Sequence, residues 1–232
     1  MIESEIIKKS PLRILEKSIQ GGLKKGEIAV LASRKGVGKT ACLVHIAIDK
    51  LFQRKYVIHV SYASRVDPII NWYEEIFKKI AKKQNIEPSL KTHDEIIKNR
   101  VIMNFNQEGT STKQVLKSVE AMMKHGEFAA DAVIVDGFDF SKSTLENMSQ
   151  FKSFAENSGV EIWFSASLKD RKPLFDEKGL PTELLNFMKN IDVLITLKYQ
   201  HHYIQLNIAK NRGHAASEKL PLRLDPATFL IA

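Results

Sequence analysis

Along the chain, short uninterrupted apolar runs alternate with longer stretches whose apolar residues recur every three or four positions. That alternation predicts an α/β fold with a parallel sheet covered by helices. The runs at 27–33 (EIAVLAS), 55–62 (KYVIHVSY), 100–106 (RVIMNFN), 130–140 (ADAVIVDGFDF) and 160–168 (VEIWFSASL) read as strands. Helical periodicity occupies 39–52, 67–84, 111–126 and 145–159. The second of these is entered through Pro68 near its first turn, with Ile69, Trp72, Ile76 and Ile80 as its core stripe. The third opens on capping residues and closes at Gly126. Residues 169–183 are polar and contain two prolines and a glycine, which predicts a surface loop free to move. The tail predicts three further strands with turns near His201 and Gly213. No internal repeat or linker divides the chain, so 1–232 is expected to be one domain.

Composition leaves this picture in place. The chain has 232 residues, 44% hydrophobic and 27% charged, which excludes extended disorder. No signal-like start or long apolar window occurs, so a cytoplasmic location without membrane contact is expected. One cysteine, Cys42, rules out an internal disulfide framework and reads as a small buried hydrophobe. The net charge of +8 suits either a nucleic-acid partner or simply solvated helix faces, because the lysines form no run of five or more.

Candidate chemistry concentrates at 33–40, SRKGVGKT. A phosphate-binding loop has the pattern G-x-x-x-x-G-K-[ST], and Gly38, Lys39 and Thr40 meet it while Ser33 stands at the first glycine. Glycines let successive N–H groups approach phosphate oxygens, and the start of the following helix adds positive potential. In that role Lys39 reaches the β- and γ-phosphates, and the Thr40 hydroxyl ligates Mg²⁺. Arg34 and Lys35 either contact the nucleotide or are exposed side chains. The matching acid is Asp136, at the tip of the 130–140 run, which would hold Mg²⁺ through water. Asp139 lies past the apolar run and reads as a cap or a solvent-facing residue.

Three stretches together resemble the RecA-like P-loop ATPases, in particular the KaiC and DnaB-helicase branch: GGLKKGEIAVLASRKGVGKTACLVHIA, AVIVDG, and IAKNRG with LRLDP. The resemblance runs from about Leu12 to the C-terminal residues. It implies a RecA-like mainly parallel sheet with C-terminal antiparallel strands, and ATP with Mg²⁺ as ligands. The nucleotide would lie against Ser33, Arg34, Lys35, Gly36, Val37, Gly38, Lys39, Thr40 and Cys42. Lys210 and Arg212 match the family's K-x-R pair, which acts in trans on the neighbour's γ-phosphate and so implies a homo-oligomeric ring or filament. The family's catalytic glutamate after the second core strand is missing: Ala63 or Ser64 stands there, and the next carboxylates are Asp67, Glu74 and Glu75. Loss of a general base costs about 10² to 10⁴ in rate, so slow or conditional hydrolysis is expected. Ser165 and Ser167 fall where the family carries a γ-phosphate sensor. The expected function is a nucleotide-gated assembly or regulatory protein; the alternatives are an active DNA-dependent ATPase and a degenerate interaction module. His201 and His202, adjacent in a turn, do not suit one metal ion.

Overall fold

A computed structural model describes residues 2–84, 94, 96–106, 108–169 and 173–232. Eight strands form one sheet: β1 (Ile28–Arg34), β2 (Val57–Ser61), β3 (Arg100–Asn104), β4 (Ala132–Asp136), β5 (Glu161–Leu168), β6 (Val193–Gln200), β7 (Tyr203–Asn211) and β8 (His214–Leu224). Their order is β3-β2-β4-β5-β1-β6-β7-β8. β1 to β6 run parallel, and β7 and β8 complete the sheet antiparallel. The fold is therefore α/β, mainly parallel, with C-terminal antiparallel strands and flanking helices.

Each central strand is buried on both faces, and this is why it reads as an unbroken apolar run rather than an alternation. In β1, Ala29 and Leu31 join one half of the core, whereas Ile28, Val30 and Ala32 join the other. The first face is covered by α1 (Ile2–Lys9), α2 (Leu12–Ser18), α3 (Lys39–Phe52) and α4 (Asp67–Lys83). The second is covered by α5 (Thr112–His125) and α6 (Leu145–Ser158). The capping expected at 111 is a complete capping box between Ser111 and Gln114, and α6 starts with its own box between Thr144 and Asn147. Ile69, Ile76 and Ile80 are buried, and Trp72 stands edge-on to Phe229 at 4.9 Å between centroids.

Several boundaries differ from the sequence expectation. The 130–140 strand ends at Asp136, because Gly137 turns the chain at φ 83° and Asp139 caps a short 3-10 turn through the Ser141 amide. The N-terminal helices α1 and α2 were not foreseen; they bury Ile6, Leu12 and Leu15 against the first core half. Residues 170–172 of the expected loop lie outside the described residues. In the following stretch Asp176 accepts the amides of Lys178 and Leu180, Phe175 bridges to Pro181, and a 3-10 helix runs over Thr182–Phe187. Among the described residues no helix is long and apolar enough to cross a membrane.

Candidate functional site

Because β1, β2, β4 and β5 are parallel, the segments leaving them gather at one end of the sheet, beyond the carboxyl ends of these strands. β1 delivers residues 35–38 there, and α3 begins immediately after them. Ser33 is the penultimate residue of β1, paired with Ser167, and it has no positive φ. The glycine of the phosphate-loop pattern is thus not demanded by backbone conformation at this position. Gly36 and Gly38 do need to be glycine-like, with φ of 81° and 102°. A Cβ on Gly38 would also come 2.4 Å from Leu224 Cδ2, so β8 covers this turn from the side. Among the described residues, the amides of Gly36, Gly38, Lys39 and Thr40 donate to no other group. Such amides at a helix start are the donors that an anion would use.

The Lys39 side chain is buried and folded back over the loop. Its Nζ donates to the carbonyl oxygens of Arg34 at 2.9 Å and Ser33 at 3.2 Å, and to Ser33 Oγ at 3.2 Å. Burial pushes its ammonium down to about 8, with Asp136 pulling in the opposite direction. Thr40 Oγ1 donates to Asp136 Oδ2 at 2.9 Å, across 96 residues of sequence. The other carboxylate oxygen accepts from Ser165 Oγ at 2.6 Å, and Ser165 Oγ accepts from the Gly137 amide at 2.9 Å. The acid is thereby held between the first turn of α3 and β5. Of the two candidate serines, Ser165 reaches the acid, while Ser167 is exposed.

This donor set fits a hard divalent cation that keeps phosphate and water ligands: it is one hydroxyl and one carboxylate, both oxygen. Among the described residues no group of three or more His, Cys, Asp or Glu could hold a metal without such help. Arg34 and Lys35 are exposed at the loop, and Val37 is half-buried against the core. Cys42 is fully buried, its amide donates to Gly38 O at 3.0 Å, and burial pushes its thiol up to about 12. It offers no atom to a ligand in the loop; its contribution is packing beneath α3.

The remaining expected residues fall elsewhere. Asp67 is exposed and paired with Arg65, Glu74 is half-buried and Glu75 exposed on α4. His201 and His202 form the exposed β6–β7 turn. Lys210 and Arg212 sit at the opposite end of the sheet, where β7 finishes beside the start of β6. Lys210 Nζ donates to the carbonyls of Met188 at 2.7 Å and of Ile191. Arg212 grips Glu27 in a fork, Nε to Oε1 at 2.8 Å and Nη2 to Oε2 at 3.0 Å. It also donates to Ile19 O at 2.8 Å and Gly22 O at 3.0 Å. Its backbone holds φ 52°, a strained conformation kept by these contacts.

One buried feature escaped the sequence reading. His59, in the middle of β2 on the same face as Asp136, meets Tyr73 OH at 3.1 Å through Nδ1, while its buried Nε2 has no partner among the described residues. Burial holds it down to about 4. A histidine in a strand of valines and isoleucines signals a polar contact across the core, but nothing in the sequence identifies Tyr73 as its partner. Comparison of the chain with known protein-family models and with curated proteins finds no match.

Proposed function

We propose that this chain is a RecA-like nucleotide-binding protein of the KaiC and DnaB type that holds ATP and Mg²⁺ between residues 33–40 and Asp136. It hydrolyses ATP slowly or conditionally and acts as a nucleotide-gated assembly or regulatory protein. The observation that carries this reading is the Thr40–Asp136 hydrogen bond, which joins the end of the loop to an acid at the tip of a buried strand. The placement of β5 between β1 and β4 agrees with a RecA-like sheet.

Bound Mg²⁺ would neutralise phosphate charge and polarise the γ-phosphoryl group. The amides from Gly36 to Thr40 would receive the phosphate oxygens, and Lys39 would exchange the Ser33 and Arg34 carbonyls for them. Thr40 would turn its hydroxyl oxygen to the metal, with Asp136 ordering a metal-bound water and Ser165 fixing Asp136. The segment after β2 carries no carboxylate before Asp67, which is why turnover is expected to be slow. A contribution from Arg212 to a neighbouring site requires release from Glu27, so assembly would be gated by that contact.

ATP binding, steady-state hydrolysis and mass in solution, measured with Mg²⁺ and with or without single-stranded DNA, test the reading. Tight binding with negligible turnover is expected, and Lys39→Ala is expected to abolish binding while Arg212→Ala leaves it intact. Unchanged ATP affinity in Lys39→Ala would overturn the phosphate-loop assignment. Turnover stimulated by DNA would put an active DNA-dependent ATPase in its place.

A further inference from the structure

A cavity lies along the later turns of α3, away from the strand ends that gather Thr40 and Asp136. It has a volume of about 490 Å³ and is enclosed by α1, α3, α4 and the segment after β8. That is within the roughly 300–1,000 Å³ of small-molecule sites. Its walls are largely apolar, with Phe52, Ile80 and Leu230 among them. Two buried polar groups of α3 interrupt the wall: His45 and Asp49, 4% and 6% exposed.

Their hydrogen bonds define what they can offer. His45 Nδ1 accepts the Ile231 amide at 3.1 Å, which puts the imidazole proton on Nε2. Burial, and then Lys83, hold this ring neutral, with a pKa of about 4. It therefore presents an N–H donor. Asp49 Oδ2 is occupied by the Arg13 guanidinium, which Asp49 shares with Glu16, and by Gln53 Nε2 at 2.7 Å. Lys83 is exposed at the end of α4, lines the cavity and takes no ion-pair partner among the described residues. Lys9, also on the lining, is paired with Glu5. The cavity thus combines an apolar body with one neutral donor and one exposed lysine, whose charge also acts on Asp225.

We propose that this cavity binds a small amphipathic carboxylate, its hydrocarbon body against Phe52, Ile80 and Leu230 and its carboxylate between His45 and Lys83. An amine of the same shape would meet Lys83 instead of a free acid. The site stands independently of whether residues 33–40 hold a nucleotide.

Calorimetric titration of the intact chain with decanoate, and with decanol as the uncharged homologue, tests it. Decanoate is expected to saturate one site per chain and decanol to bind roughly tenfold more weakly. Lys83→Gln, a surface change that leaves the fold intact, should bring decanoate down to the level of decanol. Ile80→Trp, which fills the cavity, should abolish binding of both, with circular dichroism confirming that it folds. Absence of saturable decanoate binding overturns the site, as does equal binding by Ile80→Trp. Equal affinity for decanoate and decanol, or no effect of Lys83→Gln, overturns the assignment of a carboxylate.

Discussion

Lys39 is charged in the unfolded chain up to about 10.5 and in the folded one only up to about 8. Between those values the unfolded state holds a proton that the folded state has lost, so this residue's contribution to stability rises with pH across that window. Below pH 8 the fold bears the full cost of burying the ammonium. A polyphosphate beside Nζ favours the charged form and reverses the shift. ATP binding at pH 8 should therefore take up roughly half a proton per chain, seen calorimetrically as a binding heat that depends on the buffer's ionisation enthalpy. Zero uptake would mean that Lys39 does not meet the phosphates. Gly38 makes an independent prediction. An alanine there has an unfavourable φ and a methyl 2.4 Å from Leu224 Cδ2, so Gly38→Ala should cost at least about 1–3 kcal/mol in urea unfolding. Gly36 has open space at its Cβ position, and alanine there should cost less because only the backbone term remains.

Between elements, the decisive contacts join residues far apart in sequence. Arg212, just past β7, is bound to Glu27, which lies 185 residues earlier and directly before β1. Replacing it with alanine leaves the Glu27 carboxylate, 14% exposed, with only the Lys24 amide and charge to oppose it, and should lower stability by about 1–3 kcal/mol. Arg212→Lys should recover only part of that, because an ammonium cannot form the fork. Defective assembly without any stability loss would instead assign Arg212 its main role in a neighbouring subunit. This contact also marks where sequence reading stops. The strands were legible because burial on both faces makes each an apolar run, and the loop was legible because strand, glycines and helix are consecutive. The partners of Asp136 at Thr40 and Ser165, and those of Arg212, arise from strand register and sheet order, which residue spacing does not encode. α1 and α2 were illegible for a different reason: they are short, interrupted by Pro11 and rich in charge, and their few apolar residues become informative only when set against α3.

Across the whole molecule, two buried histidines tie the sheet and its helical cover together. His45 anchors the segment after β8 to α3 through the Ile231 amide, and His59 anchors α4 to β2 through Tyr73. Burial holds each down to about 4, against 6.5 when unfolded. Asp49 and Asp136 respectively oppose that effect, and Lys83 and Arg100 reinforce it. Between pH 6.5 and 4 the unfolded chain binds protons that the folded chain refuses, so stability falls as the pH drops through this window. The loss should reach about 2 kcal/mol per histidine by pH 5. Urea unfolding at pH 7 and pH 5 measures the sum, and the variants His45→Gln and His59→Gln separate the contributions. Each substitution costs stability at neutral pH by disturbing a buried hydrogen bond, yet each should flatten the profile between pH 7 and 5. A flat profile in the unaltered protein would mean that water reaches these rings and that the two joints are looser than their burial implies.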